Sequence, residues 1–419
     1  MLFLLFIGCT KHDAGPQQLV YWSSNNAAEI DFTREWVKQW NEGADNLPIH
    51  FQPVPEGQSS EEVILAAVVG KTTPDIYANM WQGSVELYAK AKKLIPLDTL
   101  EGFTEFILER CGRETLAEIT SDDGHIYQVP WKINPILTLY NKKMIPELGL
   151  DSLPLTYEQY LAAAGKAKQD KNGDGYIDHW MGYTSVKVIW YQRFFNFYPL
   201  YLAASKGGSL VKNNRAAFNN EHAIEVFRFL QTIYQKEYFS KEQAASGMDQ
   251  FFFKGKIFTQ WTGPWTISHL NKFKPAGFDF DFYPIPVPAN HEGPIYTYAD
   301  PKNMVLFNTC KEPQIAWEFI KTMISKAGDK RLLELSGQLP RRIDLATDPY
   351  FQDYFEQNPK AVIFAKQANF VKGTDNSAVI VEVFDILSQE YEACVIYNKK
   401  TPEQAISDAA DAVNLLLGN

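Results

Sequence analysis

The stretch Asp123 to Lys143, DGHIYQVPWKINPILTLYNKK, constrains this chain more than any other. Asp123 and Gly124 read as a turn, His125 to Pro130 as a short strand, and Pro135 to Tyr140 as an apolar strand ending at Asn141. A strand leaves one sheet here and the next enters another. The joint between them carries Trp131, Lys132 and Asn134, an aromatic face with polar groups beside it. That combination suits a solvent-lined cleft for a polar ring. It suits equally a buried hairpin with one tryptophan at its rim, and the joint alone does not choose.

The segment before it alternates. Leu19 to Trp22 reads as a strand, SSNN as a polar capping loop, and Asp31 to Asn41 as a helix with Phe32, Trp36, Val37 and Trp40 on one face. The strand Ile49 to Val54 follows, then a capping box of Ser59 and Glu62 before a helix ending at Gly70, then the strand DIYAN. Strand, helix, strand, helix, strand is the pattern of an open α/β sheet, in which ligands sit beyond the carboxyl ends of strands. Those ends are Trp22 to Asn25, Pro55 to Gln58 and Asn79 to Gln82. Downstream, Thr156 and Gln159 cap a helix over Tyr157 to Lys168, and an aromatic block runs from Ile189 to Tyr201. Helices are expected at 222 to 236, around Met248 to Phe253, at Pro313 to Ile324, and after the cap formed by Thr401, Pro402 and Gln404. Strands are expected at Lys256 to Trp261, Phe278 to Pro286 and Met304 to Phe307. No Gly/Ser-rich linker interrupts the chain, so several strands and not one tether join its parts.

A length of 419 residues predicts roughly two to three domains. The net charge of -10, with no run of Lys and Arg, argues against nucleic acid and anionic membrane surfaces as partners. The amino terminus differs. Met1 to Ile7 is apolar but far too short to span a bilayer, and Gly8-Cys9 then opens the polar tail TKHDAGPQQ. This reads as the cleavage end of a bacterial lipoprotein signal, with residues 1–16 a signal remnant and tail and Cys9 the lipidated residue. No Lys or Arg precedes the apolar run and Phe6 stands where Leu is usual, so an ordinary thiol on a frayed end is the competing reading. Cys111, Cys310 and Cys394 form no C-x-x-C and read as buried thiols.

Asp170 to Met181, DKNGDGYIDHWM, has the spacing of a calcium loop: Asp170, Asn172 and Asp174 at alternate positions, Gly175 for the turn, Tyr176 offering its carbonyl, and Asp178 at the ninth place. The twelfth position is Met181 and not Glu, so structural calcium and an empty Asx-rich turn both fit. No nucleophile elbow, phosphate-cradling loop or metal-spaced His set is recognisable. Carboxylate pairs for glycoside hydrolysis can be distant in sequence, which leaves a carbohydrate-active enzyme as the alternative to a binding protein.

The order TPDIYANMWQGSVELYAKAKKLIPLD, DGHIYQVPW with LYNKKM, LPLTYEQYLAAA, FFFKGKIFTQWTGPW and GQLPRR resembles the extracellular solute-binding proteins of ABC importers, specifically the family 1 sugar-binding group that includes maltose-binding proteins. The resemblance implies an α/β, two-lobe periplasmic-binding-protein fold of type II, its lobes joined by crossing hinge strands. One lobe would span 17–130 plus 300–347, the other 131–299 plus 348–419. The hinge would lie near Trp131, Tyr298 to Lys302 and Leu345 to Phe351. It further implies an extracytoplasmic monomer that needs no cofactor, captures a saccharide by closure, works with permease subunits and touches the membrane through its anchor alone. A surface glycan-capture protein without a transporter would differ only in partners.

Carried over residue by residue, the family's cleft falls on Asn79, Trp81, Gln82, Trp131, Asn134 and Trp265, with Arg341 a further candidate. Many members have glycines where Asp300 and Pro301 stand, and Asp300 would place a carboxylate where sugar hydroxyls can donate to it. Sugars need flat aromatic surfaces and paired polar groups. Trp36, Trp40 and Trp317 lie on amphipathic helical faces and read as core, whereas Trp22, Trp81, Trp131, Trp190, Trp261 and Trp265 lie near strand ends or loops and are candidate platforms or rim residues.

Overall fold

The computed structural model describes residues 18–44, 46–54, 60–183, 190–240 and 248–418. Two sheets organise them. The larger has six strands in the order Leu339–Pro340, Val129–Ile133, Lys302–Leu306, Ile76–Trp81, Leu19–Ser23, Ile49–Pro53. Leu19–Ser23 runs parallel to both of its neighbours, and Lys302–Leu306 runs antiparallel to Ile76–Trp81 and to Val129–Ile133. The carboxyl ends of four strands and the amino ends of Lys302–Leu306 and Leu339–Pro340 therefore share one edge. That edge gathers Ser23, Trp81, Ile133, Lys302 and Leu339.

The smaller sheet places Leu137–Asn141 between Thr259–Thr262 and Phe280–Tyr283, all antiparallel. Thr262 registers with Leu137 and Tyr283 with Thr138, so both outer strands deliver their carboxyl ends to the place where Leu137–Asn141 begins. Only Asn134 to Ile136 separate that strand from Ile133 in the larger sheet. A second crossing runs beside the first: Asn134 N donates to Ala299 O at 2.6 Å and Ile136 N to Tyr298 O at 3.1 Å. Arg341 N donates to Trp131 O at 2.8 Å where the third segment leaves the larger sheet.

Each sheet has its own cores. Phe32, Trp131 and Trp317 pack on one face of the larger sheet, and Tyr77, Val85 and Tyr88 on the other. Tyr160, Phe197, Phe227, Leu230 and Val413 fill the body beside the smaller sheet. Trp36 and Trp40 pack against the first of these cores and Trp317 lies within it, as expected of helical aromatic faces. Cys111, Cys310 and Cys394 are buried and free.

Helix capping follows the sequence closely. Thr156 with Gln159 and Thr401 with Gln404 form complete capping boxes for Tyr157–Ala167 and Pro402–Leu416. The first helix starts at Ala27 and not at Asp31, because the Asn26 side chain accepts from Ala28 N and Glu29 N. Ser59 of the third expected box lies outside the described residues. The strand expected over His125 to Pro130 forms instead at Val129–Ile133. Its first residues close the preceding turn: Ile126 N donates to Asp98 Oδ1 at 2.9 Å and the His125 carbonyl accepts from Ser121 N. The aromatic block is a helix, Trp190–Ala204, and the helices Gln82–Lys90, Phe103–Glu118, Trp265–Phe273, Lys326–Ser336 and Ile380–Tyr391 are among those that carried no recognised signal.

Candidate functional site

The shared edge of the larger sheet holds two residues at positive φ and a buried acceptor without a protein donor. Between Met80↔Asn303 and Ala78↔Met304 the register shifts, leaving Asn79 as an extra residue in its strand with φ 129°. A bulge of this kind re-aims a side chain, and a non-glycine residue held at such a φ costs energy that the surroundings must offset. Asp300, in the crossing, is also held at positive φ, 38°. Asn134 is 2% exposed; its Nδ2 donates to Asp300 O at 3.5 Å and its Oδ1 has no protein partner. A buried acceptor without a donor costs about 1–3 kcal/mol, and a ligand hydroxyl would relieve it.

Trp265 opens the helix Trp265–Phe273 just past the end of the smaller sheet and remains 37% exposed. Its ring lies over Gly263, where a Cβ would stand 2.1 Å from a ring carbon. Only glycine admits that ring position. Trp81 is folded over Gly83 in the same way, but its ring is buried among Phe194 and Phe384, and its Nε1 donates to Tyr298 Oη at 2.8 Å. A cavity of about 10 Å³, room for one water, lies among Glu61, Tyr77, Asn79, Trp81 and Tyr88.

Three ion pairs stand along or behind this edge. Lys132 Nζ donates to Glu29 Oε1, which also accepts from Gln338 Nε2 at 2.6 Å, while Ser24 Oγ donates to Glu29 Oε2 at 2.5 Å. Burial alone would raise the Glu29 carboxyl; Lys132, with the Ser24 and Gln338 hydrogen bonds, overrides it and holds the group below its ordinary value. On the lysine side, burial outweighs Glu29 and draws Lys132 down. The two directions favour opposite charge states of one pair. Three donors converge on Glu29, which fixes it as the carboxylate. Lys302 Nζ lies 3.5 Å from Asp300 Oδ1, and Arg341 Nη2 donates to Glu118 Oε2 at 2.9 Å.

The structure thus brings Asn79, Asn134, Asp300 and Trp265 to the ends of the two sheets and uses other expected site residues elsewhere. Trp131 is a correction: it is 0% exposed and packs 6.3 Å from Phe32 in the core, because the strand continues to Ile133 and absorbs it. Gln82 is turned to Glu118, its Nε2 3.3 Å from Oε1, and Arg341 is a strut to Glu118 and Thr115. Trp22 and Trp261 are half-buried; Trp22 packs beside the Tyr77 core and Trp261 near Tyr160 and Phe239. Trp190 begins its helix, and its side chain lies outside the described residues, as do Pro55 to Gln58 and Cys9. Glu29, Lys302, Gln338 and Glu118 were missed. Glu29 fell before the helix start expected at Asp31, so its place in the first turn was hidden, and Glu118 sits in a helix that carried no recognised signal.

The acidic loop is closed by its own backbone. Asp170 accepts from Gly173 N and Gly175 N, Asn172 Oδ1 from Asp174 N, and Asp174 Oδ1 from Tyr176 N, while Asp178 Oδ1 bonds Lys171 N and His179 Nδ1. Among the described residues, no group of three or more His, Cys, Asp or Glu is placed to hold a metal. None of their helices is long and apolar enough to cross a membrane.

Two bodies joined by crossing strands, with a polar seam at their meeting edge, define a ligand-binding protein of the hinged two-lobe class. The sequence profile of the bacterial extracellular solute-binding proteins matches residues 35–361, and the chain belongs to that family of binding proteins, which places it outside the cytoplasm. It is 22% identical over 95% of its length to an arabinooligosaccharide-binding protein of Halalkalibacterium halodurans, covering 89% of that protein. It is 23% identical over 80% of its length to a maltotriose-binding protein of Pyrococcus abyssi, covering 69% of it. Among solved structures, an uncharacterized protein of Listeria monocytogenes superposes with a TM-score of 0.82 at 24% identity, over 96% of this chain and all of that one. That likeness shows the two-lobe fold.

Proposed function

We propose that this protein is the lipid-anchored substrate-binding subunit of a bacterial ABC importer, capturing a saccharide, and by the names of its relatives an oligosaccharide, between its lobes. The observation that carries the reading is Asn134 Oδ1, a buried acceptor with no protein donor at the crossing between the sheets. Asp300 and the bulged Asn79 stand on the same edge, and the exposed Trp265 ring stands at the adjoining end of the other sheet. A sugar supplies the donor that Asn134 Oδ1 lacks, further hydroxyls for the neighbouring amide and carboxylate oxygens, and an apolar face for the indole.

The lobes are taken as 17–130 plus 300–347 and 131–299 plus 348–419, with closure about the crossings and differential affinity of the ligand for the closed form as its driving force. The cleft is assigned binding and no chemical step, so no cofactor enters, and Cys9 carries the anchor. A thermal-shift screen against mono- and oligosaccharides tests this. A ligand that binds only the folded state at about 100 times its Kd stabilises it by about 2.7 kcal/mol. A saturating shift with one glycan and no new reducing ends is expected. A shift with peptides or polyamines and none with any glycan would overturn the saccharide assignment, and new reducing ends would replace the binder with an enzyme.

A further inference from the structure

The charges at the edge say something about the ligand that the hydroxyl-binding groups do not. Among the described residues, each of the three cations there is met by a carboxylate of the protein: Lys132 by Glu29, Arg341 by Glu118, and Lys302 by Asp300. Glu61 adds a fourth carboxylate where the small cavity meets Asn79 and Trp81. An anionic ligand entering this edge would find each cation already paired with a carboxylate, Arg341 keeping one buried Nη1 without a partner, and an excess of negative charge.

Asp300 holds the central place in this arrangement. Its residue is 8% exposed, and its side chain is shared: it lies 3.5 Å from Lys302 Nζ and acts electrostatically on the Tyr298 hydroxyl and on Lys132. Lys302 is the only one of the three cations with appreciable exposure, 23% of its side chain against 1% for Lys132 and 13% for Arg341. It is therefore the cation a ligand could reach, and Asp300 is what occupies it. The carboxylate is kept at a backbone φ of 38°, where glycine would be free of strain. A charged side chain maintained against that strain, beside the one reachable lysine, indicates that the charge itself has a use.

We propose that Asp300 is the charge filter of the cleft. By neutralising Lys302 and reducing the field of Lys132, it lets the site take uncharged saccharides and reject those that carry a carboxylate or a phosphate. The inference rests on the saccharide reading above, but its test does not need a sugar.

The probe is inorganic phosphate, titrated at constant ionic strength while melting temperature and calorimetric heat are followed for the wild type, Asp300→Asn and Asp300→Gly. Asn and Gly both tolerate positive φ, so either variant keeps the backbone while deleting the charge. The wild type should show no saturable stabilisation. Both variants should gain a phosphate site at least roughly tenfold tighter than any in the wild type, the order expected for one uncompensated lysine at short range. Adding Lys302→Gln to Asp300→Asn should abolish the gain. Saturable phosphate binding by the wild type equal to that of the variants, no gain in either variant, or a gain that survives Lys302→Gln would each overturn the filter. If the phosphate pattern holds and no glycan binds, the filter stands and the saccharide reading fails.

Discussion

At the residue scale, the amide of Asn134 at the seam and the indole of Trp131 in the core carry opposite expectations. Asn134 is buried with an unpartnered oxygen. Replacing it by Ala removes an unmet acceptor and one weak hydrogen bond, so unfolding free energy should change by less than about 1.5 kcal/mol while glycan affinity falls roughly tenfold or more. Trp131→Ala should do the reverse. It opens a cavity in the core beside Phe32 and should cost about 3–5 kcal/mol in chemical denaturation. An Asn134→Ala protein that binds as tightly as the wild type would remove that residue from the site.

The Glu29 and Lys132 pair gives a second test at this scale. Lys132→Ala leaves a buried carboxylate without its cation and should cost about 3–5 kcal/mol, whereas Glu29→Gln with Lys132→Met should recover most of the loss. The pH dependence follows from the lowered Glu29 pKa. A carboxyl whose folded value lies below its unfolded one contributes stability that is full above the unfolded value and is lost as pH falls through the folded one. Wild-type stability should therefore fall below the ordinary carboxylate range more steeply than that of the double variant. Parallel acid profiles for the two would contradict the assignment.

Elements show how far the sequence could be read. Capping boxes are local chemistry, and both described ones were legible from Thr and Gln three residues apart. Thr156→Ala should cost about 1 kcal/mol and leave binding unchanged, read from denaturation and titration together. Strand register is not local. The joint was expected after Pro130, but pairing of Lys132 with Lys302 and Pro340 extends the strand to Ile133, which only the partner strands can decide. Trp131 moved from cleft to core with that shift of boundary, while Asn134, one residue past the strand, stayed at the seam. The helix Phe103–Glu118 escaped notice because Gly112, at φ 81° and ψ 170°, interrupts its period in the middle. The bulge at Asn79 was invisible for the same reason as the register: it exists only opposite Asn303 and Met304. Asn79→Gly should hold or raise the melting temperature, because glycine accepts φ 129° without strain, and should weaken glycan binding. A drop in stability with full binding would contradict the role given to the bulge.

At the scale of the whole molecule, the two sheets and their cores meet through three crossing segments, ring contacts of Trp81 with Phe194 and Phe384, and the Trp81 Nε1 hydrogen bond to Tyr298 Oη. This connection is short and hydrogen-bonded, and the proposed closure is rotation about these crossings. The proposed anchor belongs to this scale too. Cys9→Ser should move the full chain from the membrane fraction to the soluble extracytoplasmic fraction without changing ligand affinity. Retention in the membrane would exclude Cys9 as the attachment point.

The measurement that tests the central claim most directly is small-angle X-ray scattering of the purified protein, with and without the saturating glycan found by thermal shift. If a saccharide is captured between the lobes, the radius of gyration should decrease on binding, and at a glycan concentration near the wild-type Kd the decrease should be several-fold smaller for Asn134→Ala. Full binding with an unchanged radius in the wild type would contradict capture by closure and place the ligand outside the seam between the two sheets.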